Sequence, residues 1–235
     1  MTTPAETVDP PRDTAESTRR RFVLAVTVVW LVAPLVLAVV RWPRYWVWIA
    51  PEESPMTWLE SVVLVLCAAI CLLVAHVWRS SAVPGRRWRD PSTGWAVLAV
   101  GFAGLAFDER FSVHERVRDG YLAPHGVRIP FLPWVAPGDF LLMLVALVGL
   151  AMLPLVWACF RGDRLAEVLL VTGIGLALVA VGLDSIDPSS WTVGQERVQQ
   201  SLEEVIELGS GLAFLGAAVV RLLDVLRLRV TPSPG

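Results

Sequence analysis

The chain has 235 residues, of which 55 % are hydrophobic, and its mean hydropathy is +0.59. That average is too apolar for an ordinary soluble domain, and a net charge of −2 gives no reason to expect a nucleic-acid partner. Cys67, Cys71 and Cys159 lie inside apolar runs without a CxxC pair, which argues against a disulfide scaffold.

The N-terminal segment, residues 1–21, is polar, acidic and then arginine-rich, which predicts a disordered cytoplasmic tail before a signal anchor. Apolar segments follow, each near the ~20 residues that cross a bilayer core of ~30 Å. They lie at about 22–40, 57–77, 94–112, 139–160, 165–184 and 202–223. Because the connections are short, we expect one transmembrane domain, residues 22–223, and a C-terminal cytoplasmic tail, residues 224–235. Pro154 can kink the fourth segment.

The basic residues, 20 in number and all arginine, predict the topology. Placing Arg19, Arg20 and Arg21 in the cytoplasm also places the arginines of loop 78–93 there, as the positive-inside rule requires. The predicted fold is therefore an all-α polytopic protein, a bundle of six transmembrane helices with both termini cytoplasmic. We expect it in a bacterial inner (plasma) membrane.

Acidic residues collect at the extracytoplasmic end of this bundle. At ~1.5 Å per residue, Glu60, Asp108, Asp184 and Glu207 reach roughly the same depth in the outer third of the membrane. Asp108 and Asp184 also end their helices, where the helix dipole disfavours an anion. Acids so placed need a cation, a proton or an arginine partner.

Helical spacing groups some of these acids on common faces. The stripes are Asp108, Ser112 and Glu115 on the third helix, and Glu203, Glu207 and Ser210 on the sixth. The two helices could face each other across a polar pocket. For Glu60 and Glu204 there is also a structural interpretation, because TWLE (57–60) and SLEE (201–204) match the capping box.

A divalent-metal site is the first interpretation of the cluster. The predicted ligands are Glu60, Asp108, His114, Glu115, Asp184 and Glu207. Carboxylates with one imidazole suit Ca²⁺, Mg²⁺ or Mn²⁺, with a di-iron centre less favoured and zinc poorly matched. Glu109 or Glu203 could act as a general base, so that the bound metal hydrolyses a lipid or other amphiphile.

Two alternatives remain open. Arg110, Arg116, Arg118 and Arg197 lie at the same end and could neutralise the acids in a structural salt-bridge network, as in a non-catalytic scaffold or accessory protein. Ion or proton transport is the third interpretation, although the inner part of each span is apolar. The expected partners are membrane lipids and a second copy or another membrane protein.

Three segments, PMTWLESVVLVLCA, FAGLAFDERFSVHERV and LEEVIELGSGLAFLGA, carry a resemblance. Over about residues 45–223 the chain resembles a broad set of bacterial multi-pass membrane proteins of uncharacterised function, which implies a helical membrane protein and no particular activity. It is more remotely similar to the alkaline ceramidase-like membrane hydrolases. The HxxxH pair of that superfamily's last helix is absent here, so only Glu60 or Ser61 corresponds to its zinc site.

Overall fold

The computed structural model describes residues 12–80, 91–135, 137–138, 140–186 and 190–230. These residues form eight α-helices and no strand beyond an isolated bridge between Val135 and Ile186, which confirms the all-α class. The helices are α1 Arg12–Val40, α2 Pro55–Arg79, α3 Pro91–Phe111, α4 Val113–Val117, α5 Phe140–Ala151, α6 Leu153–Phe160, α7 Arg164–Asp184 and α8 Val193–Val230. A 3-10 turn, Tyr45–Trp48, precedes α2, and a π-helical turn, Arg118–Leu122, follows α4.

Four helices, α1, α2, α7 and α8, are long and apolar enough to cross a membrane, and α5 with α6 satisfies the same criterion as one bent pair. This composition is compatible with a membrane location. α3 has 21 residues but does not meet the criterion. Its last turn contains Asp108, Glu109 and Arg110, three charged residues in succession.

The packing centres on α2 and α8. α2 packs on both α3 and α8, and α1 and α7 also pack on α8. α6 contacts α3 and α7, whereas α5 contacts α7. The core between these helices includes Cys67, Cys71, Trp95 and Leu208, all fully buried. Three helices, α2, α3 and α8, therefore bring side chains to a common interior, and the same three supply the site described below.

The contact between α1 and α8 is unusually close. A Cβ added at Gly209 would lie 2.6 Å from the Trp30 indole, so a larger residue does not fit there without a shift of one helix. The Trp30 Nε1 group donates a hydrogen bond to the Val205 carbonyl at 2.7 Å. Glycine at this position lets the indole reach the backbone of α8.

The first and last helices are longer than predicted. α1 begins at Arg12 and α8 ends at Val230, so residues 12–21 of the predicted N-terminal tail and residues 224–230 of the predicted C-terminal tail are helical. An ion pair between Arg19 and Asp163, the N-cap residue of α7, connects α1 to α7. Residues 1–11 and 231–235 of the predicted tails lie outside the described residues.

Two predicted helices are each divided in the structure. The fourth segment forms α5 and α6, which are bent by 55°, with Pro154 in the first turn of α6. Proline lacks the N–H that would continue the helix, which explains the break. The third segment ends at Phe111 because Ser112 has φ 46, a left-handed conformation, and α4 starts after it. Asp108, Ser112 and Glu115 therefore do not lie on one continuous helical stripe.

Candidate metal centre

Three glutamates from different helices converge in the interior. They are Glu60 of α2, Glu109 of α3 and Glu204 of α8, and one carboxylate oxygen from each lies within 4.8 Å of the other two. We call these residues the carboxylate triad. It lies at the end of the bundle where α2 and α8 begin and α3 ends.

The triad is largely buried, and three of its six carboxylate oxygens have no hydrogen-bond donor. Glu60 is 4 % exposed and Glu204 is 8 % exposed. Both carboxylate oxygens of Glu60, and Oε2 of Glu204, are buried without a donor. An unpaired carboxylate in an apolar interior is unfavourable by several kcal/mol, and three together also repel one another. Bound cations, or protons that let one acid donate to the next, would balance this charge.

The capping-box interpretation of Glu60 and Glu204 is wrong. The N-cap of α2 is Ser54, whose hydroxyl accepts from the Met56 and Thr57 amides. α8 begins at Val193, so Ser201 lies inside the helix and its hydroxyl donates to the Arg197 carbonyl at 2.7 Å. Neither glutamate lies at a helix start. Both carboxylates are therefore available to the interior.

The predicted arginine network reaches only the periphery. Arg118 pairs with Glu115 and with Asp119, both at 2.8 Å, and Arg116 lies 3.9 Å from Glu53. Arg197 stacks on the Trp46 ring at 3.9 Å from its centroid, and Arg110 is exposed. Among the described residues, no ion pair includes a triad member.

Asp108 and His114, both predicted ligands, bind each other. The Asp108 carboxylate accepts from the His114 backbone N–H and contacts Nδ1 of its ring, both at 2.8 Å. The left-handed turn at Ser112 returns the chain so that the two residues meet. Burial lowers the pKa of His114, but the hydrogen bond and charge of Asp108 outweigh burial and raise it above its usual value. The pair therefore fixes the start of α4 and the orientation of the imidazole.

The other predicted residues lie around the triad. Glu115 is paired with Arg118 and is not one of the three converging glutamates. Glu203 accepts from the Gln199 amide at 2.8 Å, and it interacts electrostatically with Asp184 and Glu207. Glu207 in turn interacts with Glu109. The hydroxyl of Ser210, expected on the polar stripe of the last helix, instead donates to the Gly173 carbonyl of α7.

Two residues of this region, Glu204 and Glu52, were not among the predicted site residues. Glu204 was assigned to a cap because the apolar run starts near Ser201, and the polar segment GQERVQQ (194–200) hid the earlier helix start. The Ser112 hydroxyl donates to Glu52 Oε2 at 2.8 Å. Nothing in the spacing around Glu52 indicated that contact, because it joins residues 60 positions apart.

The structure also contains a cavity of about 400 Å³ beside this region, open to the surface. Glu52 and Ser112 line it, together with Glu115 and Asp119. The polar wall of the cavity and the buried triad thus lie at the same end of the bundle.

Residues 23–222 match the family described as a domain of unknown function, DUF8692. The chain belongs to this family. The matched range contains all three glutamates of the triad. Among curated proteins and solved structures, none matches the chain.

Proposed function

We propose that the chain is an integral membrane protein that binds a divalent cation through the carboxylate triad. The observation that carries the proposal is the convergence of three glutamates in the interior. Three of their carboxylate oxygens are buried and have no hydrogen-bond donor. In the proposed topology α3 and the α5–α6 pair complete six spans, and the triad lies near the extracytoplasmic end. The arginines at the opposite end, such as Arg19, Arg164 and Arg221, support this orientation.

The spacing of the triad suits a hard cation. Two oxygens bound to one Ca²⁺ at about 2.4 Å each can be at most about 4.8 Å apart, and Mg²⁺ or Mn²⁺ needs shorter distances. The triad oxygens lie within 4.8 Å of one another. A small inward movement of the side chains would complete the coordination, with water at the remaining positions. The donor set contains neither His nor Cys, which disfavours zinc.

The first test is the metal content of detergent-purified protein. Wild-type protein is expected to retain close to one equivalent of Ca²⁺, Mg²⁺ or Mn²⁺ by elemental analysis, and the Glu60→Gln, Glu204→Gln double variant is expected to lose it. Added cation should raise the melting temperature of the wild type, and EDTA should reverse that rise. The matched control is Glu115→Gln, which removes an arginine-paired carboxylate from the same end. Equal metal retention in all three proteins would exclude the triad as the site.

Metal-dependent hydrolysis of a lipid or other amphiphile is the second candidate function. The observation that favours it is the Asp108–His114 pair, in which a carboxylate orients an imidazole as in many acid–base sites. Metal-loaded protein would then hydrolyse lipids in vesicles, and His114→Gln would abolish that activity while the cation remained bound. A purely structural salt-bridge network explains Glu115 and Asp119 but gives no partner to the triad.

A further inference from the structure

Four carboxylates and Arg116 line the cavity of about 400 Å³. Its carboxylates are Glu52, Glu53, Glu115 and Asp119. Arg118 pairs with Glu115 and Asp119, and Arg116 lies near Glu53, so these three acids have positive neighbours. Glu52 differs, because the partner of its carboxylate is the hydroxyl of Ser112. Among the described residues no ion pair joins Glu52 to an arginine, although the charge of His114 also favours its ionised form.

Glu52 also interacts with the triad. It is half-buried in the loop before α2, between the buried residues Ala50 and Ser54. Its carboxylate interacts electrostatically with Glu109 and Glu204 of the triad. Burial raises the pKa of Glu52, and the charges of Glu115 and Asp108 raise it further, against the effect of the Ser112 hydrogen bond. Glu52 is thus both a wall residue of the cavity and an electrostatic neighbour of the triad.

Ser112 controls the position of this carboxylate. The left-handed turn at φ 46 between α3 and α4 places its hydroxyl 2.8 Å from Glu52 Oε2. Ser112 is itself buried and lines the cavity. The hydrogen bond from Ser112 occupies Oε2 of Glu52. A cation that reached the carboxylate from the cavity could therefore bind the other oxygen, Oε1.

We propose that the cavity is the entrance through which the cation reaches the carboxylate triad, and that Glu52 passes the cation from the cavity to the triad. This inference rests on the proposed function, because it needs a cation bound at the triad. It assigns Glu52 a kinetic role: the residue attracts the cation and lowers the barrier to entry, while the triad determines the affinity. An acidic passage of this kind accelerates binding by raising the local cation concentration.

The test is the rate of Tb³⁺ binding to full-length purified protein, followed by stopped-flow luminescence excited through the tryptophans. Glu52→Gln preserves an acceptor for the Ser112 hydroxyl and removes the charge. We expect association about tenfold slower than in the wild type, at the low end of electrostatic steering effects. Dissociation into EDTA should slow as well, because the same passage is used in both directions, and the equilibrium affinity should change by less than about threefold.

Glu53→Gln is the matched control, because it removes the same charge from the same wall. Glu53 is exposed and lies beside Arg116, so this variant should slow association much less than Glu52→Gln does. Unchanged rates in Glu52→Gln would overturn the proposal. Faster dissociation with an affinity loss equal to that of Glu60→Gln would also overturn it, because Glu52 would then be a ligand. Wild-type protein that binds no Tb³⁺ would instead refute the proposed function itself.

A second variant tests the cavity without changing an acid. Gly120 lines the cavity, and a Cβ at that position meets nothing within 4 Å. Gly120→Cys modified with a positively charged methanethiosulfonate should slow Tb³⁺ entry, whereas a negatively charged reagent of similar size should not. Tyr121→Cys, exposed and outside the cavity lining, is the control. Equal rates for both modified forms of Gly120→Cys would exclude this entrance.

Discussion

His114 is the residue whose environment differs most from what its place in the sequence indicates. It follows an apolar helix, yet Asp108 binds both its backbone and its ring. The chain has only three histidines, so the ring signals of His114 can be assigned by variants and its titration followed by NMR. The raised pKa of His114 leads to a prediction on stability.

In the folded protein His114 binds its proton more tightly than in the unfolded chain. Its contribution to stability is therefore present below the unfolded pKa of about 6.5 and is lost as pH rises through the higher folded pKa. Asp108→Asn should lower the pKa of His114, and the difference in melting temperature between wild type and variant should be largest near pH 6 and shrink towards pH 8. The difference should not vanish, because Asp108 also accepts the His114 backbone N–H. A difference independent of pH would contradict this account.

The presence of the long helices was predictable from the sequence, but their boundaries and breaks were not. The apolar runs identified α1, α2, α3, α7 and α8 because their composition differs sharply from that of the loops. The polar first turns of α8 and the turn at Ser112 have no such contrast. Their positions depend on tertiary contacts such as the Ser112–Glu52 hydrogen bond, which local sequence does not encode.

The composition of the site could likewise be predicted only in part, because it depends on tertiary contacts. Spacing grouped Glu60 with Asp108, Asp184 and Glu207, but of these four only Glu60 belongs to the triad, which it forms with the predicted base Glu109 and with Glu204. Which acids meet depends on the order and rotation of the helices in space. Glu204 belongs to the triad, whereas its neighbour Glu203 accepts a hydrogen bond from Gln199. The two positions differ by about 100° around the axis of α8.

Packing between α1 and α8 gives a prediction for these helices. Gly209→Ala should destabilise the protein by about 1–3 kcal/mol, because the new methyl group would overlap the Trp30 indole. Gly175→Ala on α7, where a Cβ meets nothing within 4 Å, is the control and should be close to neutral. Reversible unfolding in mixed micelles measures both. A neutral Gly209→Ala would show that α1 does not pack on α8 as closely as described.

The topology of the whole molecule depends on whether α3 crosses the membrane, which the composition of α3 alone does not require. In the six-span topology residue 80 is cytoplasmic and residue 121 is extracytoplasmic. The native cysteines are buried, so single cysteines introduced at Ser80 and Tyr121 can be labelled selectively. We expect an impermeant thiol reagent to label Tyr121→Cys on intact cells and Ser80→Cys only after permeabilisation. Labelling of both positions from one side would mean that α3 does not span.

The bend between α5 and α6 has a consequence for the surrounding lipid. α5 has 12 residues and α6 has 8, which correspond to rods of about 18 Å and about 12 Å. With α5 upright and a bend of 55°, the pair rises only about 25 Å, less than the ~30 Å hydrocarbon core. In the proposed topology the bilayer must thin beside this pair, so the protein would favour thin membranes and deform thicker ones on one flank.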